Sequence, residues 1–251
     1  MTAIVIKTKQ DIKHLRESNR IVALLLQYLA SIIRPGITTA YLDHQAERFI
    51  YKHGAVPGFK GYMGYPATIC ISINDEVVHG IPSPERVIRE GDIVSIDAGV
   101  ILKGFYGDAA LTVPVGKVSP EAEKLLRVTE ESLYKGIEAA VVGNRVGDIG
   151  YAVQQWVEKH GFSVVRDYTG HGIGRKLHEP PQVPNYGEKG KGPLLRPGMT
   201  IAIEPMVNAG DFKVITKSDG WTVVTADHSL SAHFEHTIAI MEDGTEILSR
   251  L

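Results

Sequence analysis

Arg89-Glu90-Gly91-Asp92-Ile93-Val94-Ser95-Ile96-Asp97 and Arg196-Pro197-Gly198-Met199-Thr200-Ile201-Ala202-Ile203-Glu204 carry one pattern twice: Arg, Gly two residues on, a run of strand-forming residues, and an acid closing it. The shift that carries Arg89 onto Arg196 carries other pairs with it. His53-Gly54 falls on His160-Gly161, Phe49-Ile50 on Trp156-Val157, and Gly36 on Gly143. Chance gives one such match, not a row of them at a single offset, so the chain reads as an internal duplication.

Working outward, each half reads as two helices followed by strands. The first helix is expected over Lys9 to Arg34, capped by Thr8 and stopped by Pro35-Gly36; the second runs from Thr39 to His53. Ser119 to Val142 and Gly147 to His160 repeat the pair. Alternation and β-branched content predict strands at Thr68–Ile73, Ile93–Gly99, Tyr106–Val115, Gly161–Arg166, Met199–Val207, Trp221–Thr225 and Ala232–Met241. No Ser/Gly/Pro-rich linker separates the halves, and neither half looks able to cover its own apolar faces. The expectation is one α+β domain over residues 1–251, with repeats at roughly 9–115 and 119–251 sharing one sheet system.

Composition excludes several classes. With 43% hydrophobic and 22% charged residues, the 251-residue chain has material for a core and is not a disordered polymer. A net charge of −2 offers no basic excess for neutralising phosphates, so DNA is not an expected partner. Cys70 is the single cysteine, which rules out an intrachain disulfide framework and fits a reducing compartment. Ile21 to Ile33 is too short and too interrupted to span a bilayer, and the first twenty residues lack the apolar run of an export signal. A cytoplasmic protein without membrane partners is expected.

The acids stand out next. Asp97 and Glu204 each end a run that otherwise looks like a core strand, and burying an unpaired carboxylate costs several kcal/mol or forces protonation. For any one of them, capping a turn or pairing with Arg is the ordinary alternative. A hairpin turn centred between Leu102 and Lys103 would place Asp97 directly opposite Asp108, about 5 Å away, where like charges repel and a cation belongs. His171 sits in Thr169-Gly170-His171-Gly172-Ile173-Gly174, whose glycines let the backbone bring an imidazole close to another group, and Glu235 interrupts the strand Ala232–Met241. Four carboxylates and one imidazole form an oxygen-rich donor set suited to Mn²⁺, Fe²⁺, Co²⁺ or Zn²⁺.

These residues resemble the type I methionine aminopeptidases, of the duplicated pita-bread (creatinase/aminopeptidase) fold. The resemblance spans nearly the whole chain. It is carried by Val78-His79-Gly80-Ile81-Pro82, Ile96-Asp97-Ala98-Gly99, Gly107-Asp108, Thr169–Gly174, Ile203-Glu204-Pro205 and Phe234-Glu235-His236-Thr237. It implies antiparallel sheets covered by two helix pairs with pseudo-twofold symmetry, and a metal-dependent hydrolase removing the initiator methionine. Two divalent ions are implied, with Asp97, Asp108, His171, Glu204 and Glu235 as ligands. Asp108 and Glu235 would bridge, Asp97 would complete one ion, and His171 and Glu204 the other. A water acidified by both ions would attack, with Glu204 accepting its proton.

By the same likeness, His178 would contact the scissile amide and His79 would position substrate and relay a proton. Phe59, Tyr62, Tyr65, Cys70 and Trp221 would form the methionine pocket; core packing is their ordinary alternative. Phe59, Leu177 and His233 depart from the family pattern, where a smaller residue, an aromatic and a glutamine are usual.

A proline-specific peptidase of the same fold is the nearest alternative; a non-catalytic peptide- or protein-binding module that kept the fold is the other. The intact ligand set speaks against the second. The implied partner is the N-terminal Met of nascent polypeptides, with a monomer expected. Ribosome contact could run through Lys7, Lys9, Lys13 and Arg16, or through the loop Gly187–Gly192 with Lys189 and Lys191.

Overall fold

The computed structural model describes residues 3–251. Four helices carry the outer layer: α1 (Lys9–Ile32), α2 (Thr39–Lys52), α3 (Pro120–Ala139) and α4 (Val146–Lys159). Thr8 closes a capping box with Asp11 at the start of α1, Thr38 caps α2, and Ser119 with Pro120 opens α3. The shift that superposes the repeats in sequence also carries α2 onto α4, start on start and end on end. Their approaches follow suit. Gly36 and Gly143 both take φ +91°, where a side chain would be strained, and they donate to the carbonyls of Ile88 and Leu195, themselves a pair under the same shift.

Nine strands form one antiparallel sheet. Its order runs Val56–Pro57, Ile93–Leu102, Phe105–Pro114, Glu235–Met241, Thr200–Ile203, Gly170–Gly172 and Glu179–Val183, with Ile69–Ile73 also on Ile93–Leu102 and Gly244–Ile247 on Glu235–Met241. Strands from both repeats therefore lie in one sheet. Two three-stranded sheets flank it: Ser163–Val164, Met206–Asn208 and Ser231–His233; and Glu76–Val78, Val214–Thr216 and Val223–Thr225.

Alternation along the strands separates two faces. Val94, Ile96, Ala98 and Val100 point outward and pack beneath α1 and α2 with Leu25, Leu29, Leu42 and Ile50, all essentially without exposure. Val153, Val157, Leu125 and Val128 serve the second helix pair, and Ile201, Ile203, Ile238 and Ile240 join Leu133 and Ile149. Each such side chain contributes roughly 1.5–3 kcal/mol by leaving water. On the opposite face Ser95 pairs with the Thr112 hydroxyl and Asp97 lines a cavity. No helix among the described residues is long and apolar enough to cross a membrane.

Several sequence expectations need correction. The hairpin turn is Lys103-Gly104, both with positive φ, so the register pairs Asp97 with Ala110 and Asp108 with Gly99. Asp97 and Asp108 share a face diagonally, two residues out of register, rather than facing each other. The expected strands Met199–Val207 and Ala232–Met241 are each broken, at Glu204-Pro205, where the chain passes from the large sheet to a small one, and at Phe234, where it passes back from the small sheet to the large one. Pro205 has no N–H to continue a ladder. His171 lies on the short strand Gly170–Gly172, which the sequence reading did not assign. Lys7 is no part of a solvated basic face: it is buried, with its ammonium 2.5 Å from Glu179. Arg16 is forked onto Glu246, and Lys189 lies over the Tyr151 ring.

Candidate metal centre

The strand registers bring the predicted donors together. Gly99↔Asp108, Asp97↔Ala110, Glu235↔Ala110, Thr237↔Ala202 and Gly172↔Ile201 place Asp97, Asp108, Glu235 and His171 on the inner face of the sheet, and Glu204 follows at the strand break. Their backbones are held independently. The Asp108 N–H donates to Asn19 of α1 and its carbonyl accepts from the Thr237 hydroxyl, while Asn185 donates to the Glu204 carbonyl. Helix α1 lies against the hairpin at Gly107, where a Cβ would sit 2.6 Å from the Ser18 carbonyl carbon. Asn19 and Asn185 carry no motif, and sequence reading did not single them out.

His171 shows what the cluster lacks. Its Nδ1 is 2.9 Å from the Gly172 carbonyl, which can only accept, so the ring proton is on Nδ1. The lone pair on Nε2 then faces Asp108 Oδ2 at 3.7 Å and Glu204 Oε1 at 3.5 Å. Three electron-rich atoms converge with no cationic group among them. Asp97 Oδ1, Asp108 Oδ1 and Glu235 Oε1 are buried without hydrogen-bond partners, and among the described residues no Lys or Arg lines the cavity. One ligand atom each from Asp108, His171 and Glu235 lies within 4.8 Å of the others.

The electrostatics follow from this crowding. Burial pushes Asp97 up to about 7, and burial with neighbouring carboxylates pushes Asp108, Glu204 and Glu235 well above the usual carboxylate range. The imidazoles go the other way: burial first, then a nearby imidazole, lowers His171 to about 3, His233 to about 3 and His79 to about 4. At neutral pH these rings are neutral donors of lone pairs. An array of carboxylate oxygens that cannot ionise together, beside an aimed imidazole nitrogen, fits divalent cations.

The donors form one wall of a cavity of about 220 Å³. Its other walls include every remaining residue expected at the site: Phe59, Tyr62, Tyr65, Cys70, His79, His178 and Trp221. Phe59, Tyr65, Cys70 and Leu177 are buried, with half-buried Tyr62 and Trp221 packed against them. Phe59 lies flat against Gly99, where a Cβ would be 2.4 Å from its ring. Tyr65 sets its hydroxyl 3.1 Å from the Ile69 and Gly80 carbonyls and its ring edge-to-face on Trp221. His79 takes a left-handed φ of 60°, and the following Gly80 is pressed so close to the Ile71 carbonyl that no side chain fits. His178 stands at the mouth, its ring edge-on to His171.

Met63, Val78, Tyr168, Thr169 and Met206 also line the cavity and were not anticipated as contacts. Thr169 and Tyr168 adjoin the glycine motif of His171, which is signal enough to have found them. Met63 is exposed in Gly61-Tyr62-Met63-Gly64, and nothing in its sequence context marks it.

Residues 13–242 match metallopeptidase family M24. The chain is 56% identical over 248 residues to methionine aminopeptidase 1 of Bacillus subtilis, covering 99% of this chain and 100% of that one. It superposes on the crystal structure of methionine aminopeptidase from Thermotoga maritima with a TM-score of 0.98 at 48% identity, covering 99% and 100% of the two chains. Prolidase from Pyrococcus furiosus shares the fold alone, at TM-score 0.81 and 22% identity, with 98% of this chain and 66% of that one covered.

Proposed function

The chain belongs to metallopeptidase family M24, and from that premise we infer that it is a metal-dependent aminopeptidase releasing the N-terminal methionine of newly made polypeptides. One observation carries the chemistry. The His171 Nε2 lone pair meets two carboxylate oxygens inside 3.7 Å with no positive group to receive them. Full-length likeness to methionine aminopeptidases, and an aromatic, sulfur-lined pocket beside that cluster, support the substrate.

Asp97, Asp108, His171, Glu204 and Glu235 would hold two divalent ions. When bound, Co²⁺, Mn²⁺, Fe²⁺ or Zn²⁺ supplies positive charge that polarises the scissile carbonyl and lets a water deprotonate near neutral pH. Glu204 is the base: its two oxygens face His171 at 3.5 Å and His233 at 3.9 Å, and it can pass the proton on to the leaving amine. His178 donates to the scissile carbonyl oxygen as charge gathers there. His79, held edge-on between Tyr168 and Trp221, positions the substrate backbone and relays a proton.

The methionine side chain enters between Phe59, Tyr62, Tyr65, Cys70 and Trp221, where each sulfur–aromatic contact adds roughly 0.3–1.5 kcal/mol to burial. An acidic cavity that no described Lys or Arg lines favours a free α-amino group over a blocked one.

The test is metal-stripped protein titrated with each divalent ion on Met-Ala-Ser, its N-acetylated form and an Xaa-Pro peptide. Metal-dependent release of methionine from the free peptide alone is expected. Cleavage of Xaa-Pro without methionine release would make the chain proline-specific, and silence with every metal would make it a binding module.

A further inference from the structure

Tyr62 lines the pocket at its rim, beside His178. It opens a one-turn 3₁₀ segment, Tyr62–Gly64, that is preceded by left-handed Gly61 at φ 85° and itself contains left-handed Met63 at φ 49° and Gly64 at φ 90°. Four backbone bonds lock the turn, Tyr62 N–H to Phe59, Gly61 N–H to Tyr65, Gly64 N–H to Gly61 and Tyr65 N–H to Tyr62. Met63 is the non-glycine residue held in that region, so this rim is kept in place against backbone strain. The result is a phenolic oxygen 2.8 Å from Nδ1 of His178, the rings crossing at 69°.

His178 is anchored as firmly on the opposite rim. Glu179, next in sequence, accepts from the Lys176 N–H at 3.2 Å and from the buried Lys7 ammonium at 2.5 Å, and the Gly174 N–H donates to the Lys176 carbonyl. Between a phenol and a neutral imidazole, the phenolic O–H is the stronger donor and the pyridine-type nitrogen the stronger acceptor. We propose that Tyr62 is a positioning residue: its O–H donates to Nδ1 of His178 and so keeps the ring's only proton on Nε2. The inference rests on reading His178 as donor to the scissile carbonyl oxygen. In the opposite tautomer Nε2 would present a lone pair to that oxygen, and the contact would repel.

The experiment uses the full chain with ¹⁵N-labelled histidine, metal-stripped and Zn²⁺-loaded, with long-range ¹H–¹⁵N spectra that separate the two tautomers. His178 is expected as Nε2–H in the wild type and as a mixture in Tyr62→Phe. On Met-Ala-Ser, Tyr62→Phe should lower kcat about 2- to 12-fold, the equivalent of one neutral hydrogen bond, with KM moved less than twofold. In a His178→Ala background, Tyr62→Phe should cost nothing further in kcat. Nδ1–H in the wild type, or an unchanged tautomer with a raised KM in Tyr62→Phe, would overturn the proposal and leave Tyr62 as pocket wall. Full activity of His178→Ala would instead sink the reading of His178 itself, while the spectra still report on the bond.

Discussion

Stripped of metal, this protein should lose about 2 kcal/mol of stability between pH 7.5 and 9. The reason lies in which groups hold protons in each state. Asp97, pushed up to about 7, and Asp108, Glu204 and Glu235, pushed well above their ordinary values, keep protons in the folded chain that the unfolded chain releases near pH 4. A folded state binding more protons than the unfolded one loses stability as pH rises, by about 1.36 kcal/mol per pH unit for each net proton. The histidines work in the opposite sense. His79, His171, His233 and His236, at about 3 to 4, and the lowered His178 stay neutral while the unfolded chain takes up protons below about 6.5. Their contribution raises stability until about a pH unit above that value and then falls silent. Above about 7.5 the carboxylates act alone, and a single net proton held over 1.5 units gives roughly 2 kcal/mol. Urea unfolding in chelator at half-unit steps measures it. With saturating Zn²⁺ or Mn²⁺ the slope should vanish or reverse, because binding requires the ionised ligands. A metal-free slope that is flat or positive from 7.5 to 9 would refute the electrostatic description of the site.

Other substitutions probe separate parts of the structure. Asp108→Asn removes one of the converging charges; at pH 8 the metal-free variant should be more stable than the wild type, while calorimetry shows divalent affinity down at least about 10–100-fold. Lys7→Ala leaves Glu179 buried and unpaired, so urea unfolding should register a loss of about 3–5 kcal/mol, and a change below about 1 kcal/mol would mean the pair is not buried in solution. Phe59→Ala opens the pocket against Gly99, and the preference for N-terminal Met over Leu or Phe, measured as a ratio of kcat/KM, should fall about tenfold.

The sequence made the site legible because its chemistry is local and repeated. Asp97 and Glu204 break apolar runs at positions related by the duplication, and His171 and Glu235 stand in short, distinctive contexts. The helices were legible through Thr8, Ser119 and the glycines that stop them. What escaped depended on a single backbone choice. Lys103 in a left-handed conformation shifts the hairpin by one residue on each strand, and neither its identity nor the flanking pattern announces that. Apolar residues continue past Glu204 and Phe234, so the changes of sheet there leave the alternation undisturbed. Lys7 looks like any surface lysine until Glu179, far along the chain, is folded onto it.

Calorimetric titration of the metal-stripped chain with Zn²⁺ or Mn²⁺ near pH 7 tests most directly whether the cavity is a metal centre. Saturable binding of two ions per chain with release of protons, abolished in Asp108→Asn with Glu235→Gln, is the predicted result. Absence of saturable binding, or equal binding by that double variant, would contradict it.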